Sequence, residues 1–108
     1  MMLGEKQRKF TLMVADLITW AYAHGYEFTF GEAYRPDWVA LEYAKRGSGI
    51  KNSFHTSKLA IDLNLFIAGA YQTKTEAYEP CGLYWQSIGG TWGGKFANPD
   101  GNHFSLGE

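Results

Sequence analysis

The 108-residue sequence contains a single cysteine, Cys81, and the lack of a second one restricts both its fold and its chemistry. No intramolecular disulfide can form, and a metal site built from several cysteines is excluded. Cys81 lies between Pro80 and Gly82, with no histidine nearby in the sequence, which argues against a cysteine hydrolase. We therefore expect a fold that is held by its hydrophobic core and a chemistry that uses other side chains.

An excess of charge of either sign is also lacking, because 10 Lys and Arg residues nearly balance 11 Asp and Glu residues and leave a net charge of −1. Without a broad basic surface, neither nucleic acid nor an anionic membrane is an expected partner. No apolar run reaches the ~20 residues that a membrane-spanning helix needs. A chain of this length has room for one core, so we predict a single domain, 1–108, that acts as a monomer.

The N-terminal stretch has some features of a secretory signal, namely basic residues, an apolar run and the small-residue triplet 21–23. However, Asp16 interrupts the apolar run, and the apolar residues recur at the spacing of an amphipathic helix. They are Phe10, Met13, Val14, Leu17 and Ala21. His24 and Gly25 suit the end of such a helix. We predict a retained structural helix and no export signal.

The other elements follow from alternation and from helix-end signals. The predicted order is strand 26–30, helix 37–46, strand 59–66, short strand 71–73, helix 76–88 and strand 103–106. Pro80 belongs in the first turn of the third helix, since an interior proline would break it. The segments 47–52 and 91–99 are predicted loops. These elements predict an α+β fold, in which helices pack on one face of a small antiparallel sheet.

Two histidines and an aspartate are predicted to meet on the other face of this sheet. Alternation along strand 59–66 turns Asp62 away from the apolar side, and His103 faces the same way if strand 103–106 is its neighbour. The loop before Asp62 delivers His55. Two imidazoles and one carboxylate form the ligand set of a catalytic zinc site, in which water takes the fourth position.

Each of these side chains also has an ordinary structural explanation. An isolated histidine is more often hydrogen-bonded within a fold than bound to a metal, and we assign His24 that role. A carboxylate on the same face favours the metal for His55 and His103. Asp62 is either a surface acid or, since it is flanked by apolar neighbours, an acid that needs a partner such as a metal.

Four segments, in this order along the chain, carry a resemblance to a known family. They are the arginine-bearing loop 31–35, Ser53-x-His55-x6-Asp62, Trp92-Gly93-Gly94-Lys95-Phe96 and Asp100-x-x-His103-Phe104. Together they resemble the zinc peptidases that include D-alanyl-D-alanine carboxypeptidases, vancomycin-resistance D,D-dipeptidases and phage L-alanyl-D-glutamate endopeptidases. Strand 59–66 and the glycine-rich loop look most similar to the phage and prophage endolysin branch. The resemblance implies a Hedgehog/D-Ala-D-Ala peptidase-like fold with a zinc cleft opposite the helices.

The resemblance also implies a role for each matching residue. The zinc ligands would be His55, Asp62 and His103. Asp100 matches the general base that takes a proton from the attacking water and passes it to the leaving amine, although a turn-forming acid is the alternative. Arg35 matches the arginine that binds substrate and stabilises the oxyanion, or else it is a surface residue beside a helix. Ser53 would orient the site or contact substrate, or would cap nearby backbone groups.

A few positions stay open or depart from the family pattern. Lys58 stands where many relatives carry glycine, and Asp100 stands where some supply glutamate. Glu32 fits either a substrate contact or a solvated acid. Trp92 and Phe96 either line the cleft or fill the core.

The function implied by the resemblance is hydrolysis of an amide bond in the stem peptide of bacterial peptidoglycan. We expect a Zn²⁺-dependent endolysin of a phage or prophage that cuts between L-Ala and D-Glu and stays in the cytoplasm until it is released to the wall. The alternatives are a D-alanyl-D-alanine carboxypeptidase or dipeptidase, and a non-catalytic zinc-containing wall-binding module.

Overall fold

A computed structural model describes residues 1–46 and 54–107 of the chain. Its regular elements are α1 (Leu3–Ala23), β1 (Tyr26–Phe30), α2 (Asp37–Lys45), β2 (Ala60–Ile67), β3 (Ala70–Tyr71), α3 (Glu79–Ser87), β4 (Thr91–Trp92) and β5 (His103–Ser105). Two short 3₁₀ helices, Thr75–Tyr78 and Gly93–Lys95, precede α3 and follow β4. The predicted α+β fold is confirmed.

The strands form one antiparallel sheet in the order β1-β2-β5-β4, and β3 pairs with β2 beyond this path. The register places Ile61 opposite Phe104 and Asp62 opposite His103. Since directly opposed residues share a face of the sheet, Ile61 and Phe104 lie on the core side and the two polar residues on the other. The condition on which the predicted site depended, that these two strands are neighbours, is therefore met.

Helices α1 and α3 pack on the apolar face of the sheet. The five residues of α1 that are buried are the five that the helical spacing predicts: Phe10, Met13, Val14, Leu17 and Ala21. Trp85 of α3 lies at the centre of this core, where its ring packs edge-on against Phe10 and Phe104. The distances between ring centroids are 5.7 Å and 6.0 Å. The indole N–H of Trp85 donates to the backbone oxygen of Ser105 at 2.9 Å, which satisfies the polar atom and ties the helix to the sheet.

Several boundaries differ from the sequence-based prediction for local reasons. The third helix begins at Glu79, with Pro80 in its first turn as expected, whereas Thr75–Tyr78 is 3₁₀. The strand predicted at 71–73 is Ala70–Tyr71, because the hairpin from β2 turns over only two residues, Ala68 and Gly69. Both have positive φ, at 51° and 79°, as a tight hairpin turn requires.

The predicted loop 91–99 contains a strand that the sequence does not reveal. Thr91 and Trp92 form β4, which pairs with β5. A two-residue strand is too short for alternation to be read, and its two flanking glycine pairs are typical of a loop. The predicted loop 47–52 lies outside the described residues.

Candidate metal centre

Sheet pairing fixes two of the three predicted metal ligands. Asp62 and His103 are directly opposed on β2 and β5, and the backbone N–H of Leu63 donates to the oxygen of Asn102 at 2.9 Å beside them. Nδ1 of His103 lies 3.7 Å from Oδ1 of Asp62. His103 is only 6% exposed, and the ring centroid of Phe96 lies 5.4 Å from that of its imidazole. Phe96 therefore lines the site.

The third predicted ligand, His55, comes from a turn that leads into β2. The turn closes through the N–H of Leu59, which donates to the oxygen of Phe54 at 2.9 Å. His55 is 3% exposed, its Nε2 lies 3.4 Å from Oδ1 of Asp62, and its ring centroid is 5.2 Å from that of His103. One donor atom from each of the three side chains falls within 4.8 Å of the other two. The structure thus brings the three residues together.

The environment of Asp62 fits a bound divalent cation. Its Oδ1 is buried and makes no hydrogen bond with any part of the chain that is described. Burial opposes ionisation, but the adjacent imidazoles of His103 and His55 outweigh it and lower the pKa of Asp62 from 3.8 to about 2. Two ligand atoms about 2.1 Å from one tetrahedral zinc ion stand about 3.4 Å apart. The separations of 3.4 and 3.7 Å between the imidazole nitrogens and Oδ1 of Asp62 are therefore close to those that zinc needs.

Arg35 lies on the His55 side of the group. Its backbone N–H donates to the oxygen of His55 at 3.1 Å, and its side chain is 14% exposed. The guanidinium forms an ion pair with Glu32, with Nε donating to Oε1 at 2.8 Å. The sequence assigns Glu32 no definite role, because Glu32 and Arg35 lie in a loop, where a spacing of three residues does not predict an ion pair.

Asp100 lies in the loop that precedes β5. Its N–H donates to the oxygen of Gly93 at 2.9 Å, its own oxygen accepts from the N–H of His103 at 3.1 Å, and the indole of Trp92 donates to the oxygen of Gly101 at 2.7 Å. Trp92 itself is buried in the core. Asp100 is exposed and borders a polar groove of about 240 Å³. The groove is lined by Tyr71, Gln72, Thr73, Thr75, Tyr78, Pro99, Asp100, Gly101 and Asn102.

A family model described as D-alanyl-D-alanine carboxypeptidase matches residues 46–106 of the chain. This match spans more than half of the chain. The chain belongs to this peptidase family. The matched segment contains His55, Asp62, Asp100 and His103, whereas Arg35 precedes it. Comparison of this carboxypeptidase-family chain with curated proteins gives no match.

Among solved structures, the crystal structure of Serratia marcescens L-Ala D-Glu endopeptidase ChiX is similar to the carboxypeptidase-family chain, with a TM-score of 0.78. The similarity covers 96% of this chain and 85% of the other, at 20% sequence identity. At that identity, the likeness establishes the fold. The peptidase-like fold that the family resemblance implies is thereby confirmed.

Two other residues singled out in the sequence have different outcomes in this carboxypeptidase-family domain. Ser53 lies outside the described residues, so its role in orienting the site stays a prediction. Cys81 is fully buried, and burial raises the pKa of its thiol to about 12. A thiol that is neither accessible nor ionised at neutral pH is not a nucleophile, which agrees with the sequence-based argument against a cysteine hydrolase.

In the ranges 1–46 and 54–107, no helix combines the length and apolar character that crossing a bilayer requires.

Proposed function

We propose that this domain is a zinc peptidase that hydrolyses an amide bond in the stem peptide of bacterial peptidoglycan. The observation that supports it most directly is the convergence of His55, Asp62 and His103 within 4.8 Å on the open face of the sheet. Two imidazoles and one carboxylate are the protein ligands of a catalytic zinc, whereas structural zinc sites use four. Family membership supports the peptidase class.

The roles proposed for the other residues rest on the family resemblance and on their charge. Zinc held by the three side chains would supply Lewis acidity toward the scissile carbonyl and would lower the pKa of water to about 7. Asp100 takes the proton from the attacking water and transfers it to the leaving amine. Arg35, which is largely buried next to His55, presents its guanidinium to the carbonyl oxygen as negative charge develops there.

We further propose the bond between L-Ala and D-Glu as the site of cleavage and a phage or prophage endolysin as the setting. The shared fold with an L-Ala D-Glu endopeptidase and the resemblance to the endolysin branch support this choice. The enzyme would then wait in the cytoplasm and reach the wall at lysis. The description of the matching family favours one alternative, release of the terminal D-Ala by a D,D-carboxypeptidase.

Digestion of purified muropeptides separates these possibilities. The zinc-loaded protein is incubated with pentapeptide muropeptides, and mass spectrometry locates each new amino terminus. We expect a new D-Glu amino terminus, no free D-Ala and no product after chelation. Release of D-Ala alone would overturn the endopeptidase assignment, and intact substrate with a zinc-loaded protein would support the non-catalytic wall-binding module.

A further inference from the structure

We propose that Glu32 is a positioning residue that couples a metal ligand, His55, to the substrate-binding Arg35. The inference rests on the function proposed above, because it takes His55 as a zinc ligand and Arg35 as a contact for the substrate. Neither family membership nor the sequence motifs assign Glu32 a role. Its contacts to both partners supply one.

The carboxylate of Glu32 lies between the two residues. Its Oε1 accepts from Nε of Arg35 at 2.8 Å and also contacts the terminal guanidinium nitrogen. The same oxygen is 3.8 Å from Nδ1 of His55. Nε2, the other nitrogen of His55, faces Oδ1 of Asp62 at 3.4 Å. The imidazole therefore directs one nitrogen toward the other ligands and the second toward Glu32.

At 3.8 Å, which is longer than a hydrogen bond, the carboxylate of Glu32 acts on His55 through its charge and favours one tautomer. A negative carboxylate near Nδ1 favours the form with its proton on that nitrogen, which leaves the lone pair of Nε2 available for a metal. Histidine ligands in metalloproteins commonly direct their second N–H to a carboxylate, which fixes the ring and increases its basicity. The attraction grows when a cation at Nε2 polarises the imidazole, because the N–H then carries more positive charge.

Two backbone hydrogen bonds attach the loop that carries Glu32 to Asp62. The N–H of Asp62 donates to the oxygen of Glu32 at 2.8 Å, and the N–H of Gly31 donates to the oxygen of Asp62 at 2.8 Å. The two backbones can approach this closely because Gly31 has no side chain. A Cβ at this position would lie 3.0 Å from Cβ of Asp62. The loop that carries Glu32 is thus bonded directly to a metal ligand, so its carboxylate is fixed relative to the metal group.

Partial burial strengthens the interaction of the Glu32 charge with Arg35 and His55. The side chains of Glu32, Arg35 and His55 are 28%, 14% and 4% exposed, so solvent screens them less than it screens a surface pair. A bland alternative is that Glu32 only restrains Arg35. This alternative predicts an effect on substrate binding and none on the metal, whereas the proposal predicts both.

Metal affinity distinguishes the two explanations without relying on activity. Glu32→Gln keeps the shape of the side chain and an oxygen for Arg35 but removes the charge that faces His55. We expect zinc affinity, measured by competition with a chromophoric chelator, to fall 10- to 100-fold, as is common when such a partner is lost. The cobalt(II) form should show shifted visible absorption bands at unchanged far-UV circular dichroism. Glu27→Gln, at an exposed acid on β1, is the matched control and should leave both unchanged.

Kinetics on muropeptides test the link to Arg35. Glu32→Ala removes both the charge near His55 and the partner that holds the guanidinium of Arg35. It should therefore raise KM more than Glu32→Gln does. Wild-type zinc affinity and cobalt spectrum in Glu32→Gln would overturn the proposal. If the wild-type protein binds zinc but cuts no stem peptide, the proposed function fails, while the metal measurements still decide whether Glu32 positions His55.

Discussion

The two halves of the candidate site are built by different means. The sheet-borne half contains Asp62 and His103, which are opposed in a register that also pairs the core residues Ile61 and Phe104. The turn-borne half contains His55, which depends on a short turn and on its contacts with the loop around Glu32 and Arg35. A shift of the sheet-borne half would break the strand register and displace core residues, whereas the turn-borne half is anchored by local hydrogen bonds and side-chain contacts.

The difference shows where geometry is fixed and where it is adjustable. A slip of one residue in β2 would turn Asp62 into the core and Ile61 out of it, so packing enforces the position of Asp62. His55 lies in a turn outside the sheet, so strand register does not fix its position. The carboxylate of Glu32 and the hydrogen bond from Arg35 to the oxygen of His55 supply the restraint instead. The predictions for the sheet-borne half therefore concern the ligand group itself, and those for the turn-borne half concern its restraints.

The largest effect is expected from Asp62→Asn in the sheet-borne half. A neutral amide removes the one anionic ligand, so the protein should no longer copurify with one zinc per chain, and its peptidase activity should fall to background. Because Oδ1 of Asp62 makes no hydrogen bond in the described part of the chain, the fold should persist. Metal analysis and circular dichroism check both statements.

Asp37→Asn, at an exposed acid in the first turn of α2, is the control for Asp62→Asn. It should keep both zinc and activity. Full zinc occupancy in Asp62→Asn would show that the carboxylate of Asp62 is not needed to hold the metal.

Asp100→Asn should separate metal binding from turnover. Asp100 is tied to the sheet-borne half by its backbone, and asparagine suits the same turn, so zinc should remain bound. Loss of the general base should reduce kcat by about 10² to 10⁴. Zinc content and the rate of wall lysis are measured on the same preparation.

Chelated wild-type protein is the reference for complete loss of activity in the Asp100→Asn experiment. Unchanged lysis by Asp100→Asn would remove this residue from the mechanism. Loss of zinc together with activity would make Asp100 part of the metal site itself.

The sequence predicts the sheet-borne half well because alternation is a local property. The positions of Asp62 and His103 follow from a period of two, and the buried face of α1 from a period of 3.6. Arg35 and Asp100 are identified as site residues only by the family resemblance, because no periodic pattern in the sequence points to them. Their roles stay predictions.

The turn-borne half is harder to predict, since its contacts join residues distant in sequence. Glu32 approaches His55 only because the loop after β1 pairs with the backbone of Asp62. The strand β4 was missed for a similar reason, because a two-residue strand is defined by its partner β5 and not by its own pattern. Such features depend on tertiary pairing, which a single sequence does not display.

The smallest effect concerns Lys58, which closes the turn that carries His55. Its φ is +58°, in the left-handed region, where glycine avoids a cost of about 1 to 2 kcal/mol per residue. Its ammonium also lies 5.0 Å from the ring centroid of Tyr34, a contact worth about 0.5 to 1 kcal/mol at an exposed site.

Two variants of Lys58 separate these contributions. Lys58→Ala removes the contact with Tyr34 and keeps the backbone cost, whereas Lys58→Gly removes both. The free energy of unfolding, measured by urea denaturation of the metal-free protein, should be higher for the glycine variant than for the alanine variant by about 1 kcal/mol. Equal stability of the two variants would mean that the turn is not held in the left-handed conformation in solution. The turn-borne half would then be adjustable in its backbone as well as in its side-chain contacts.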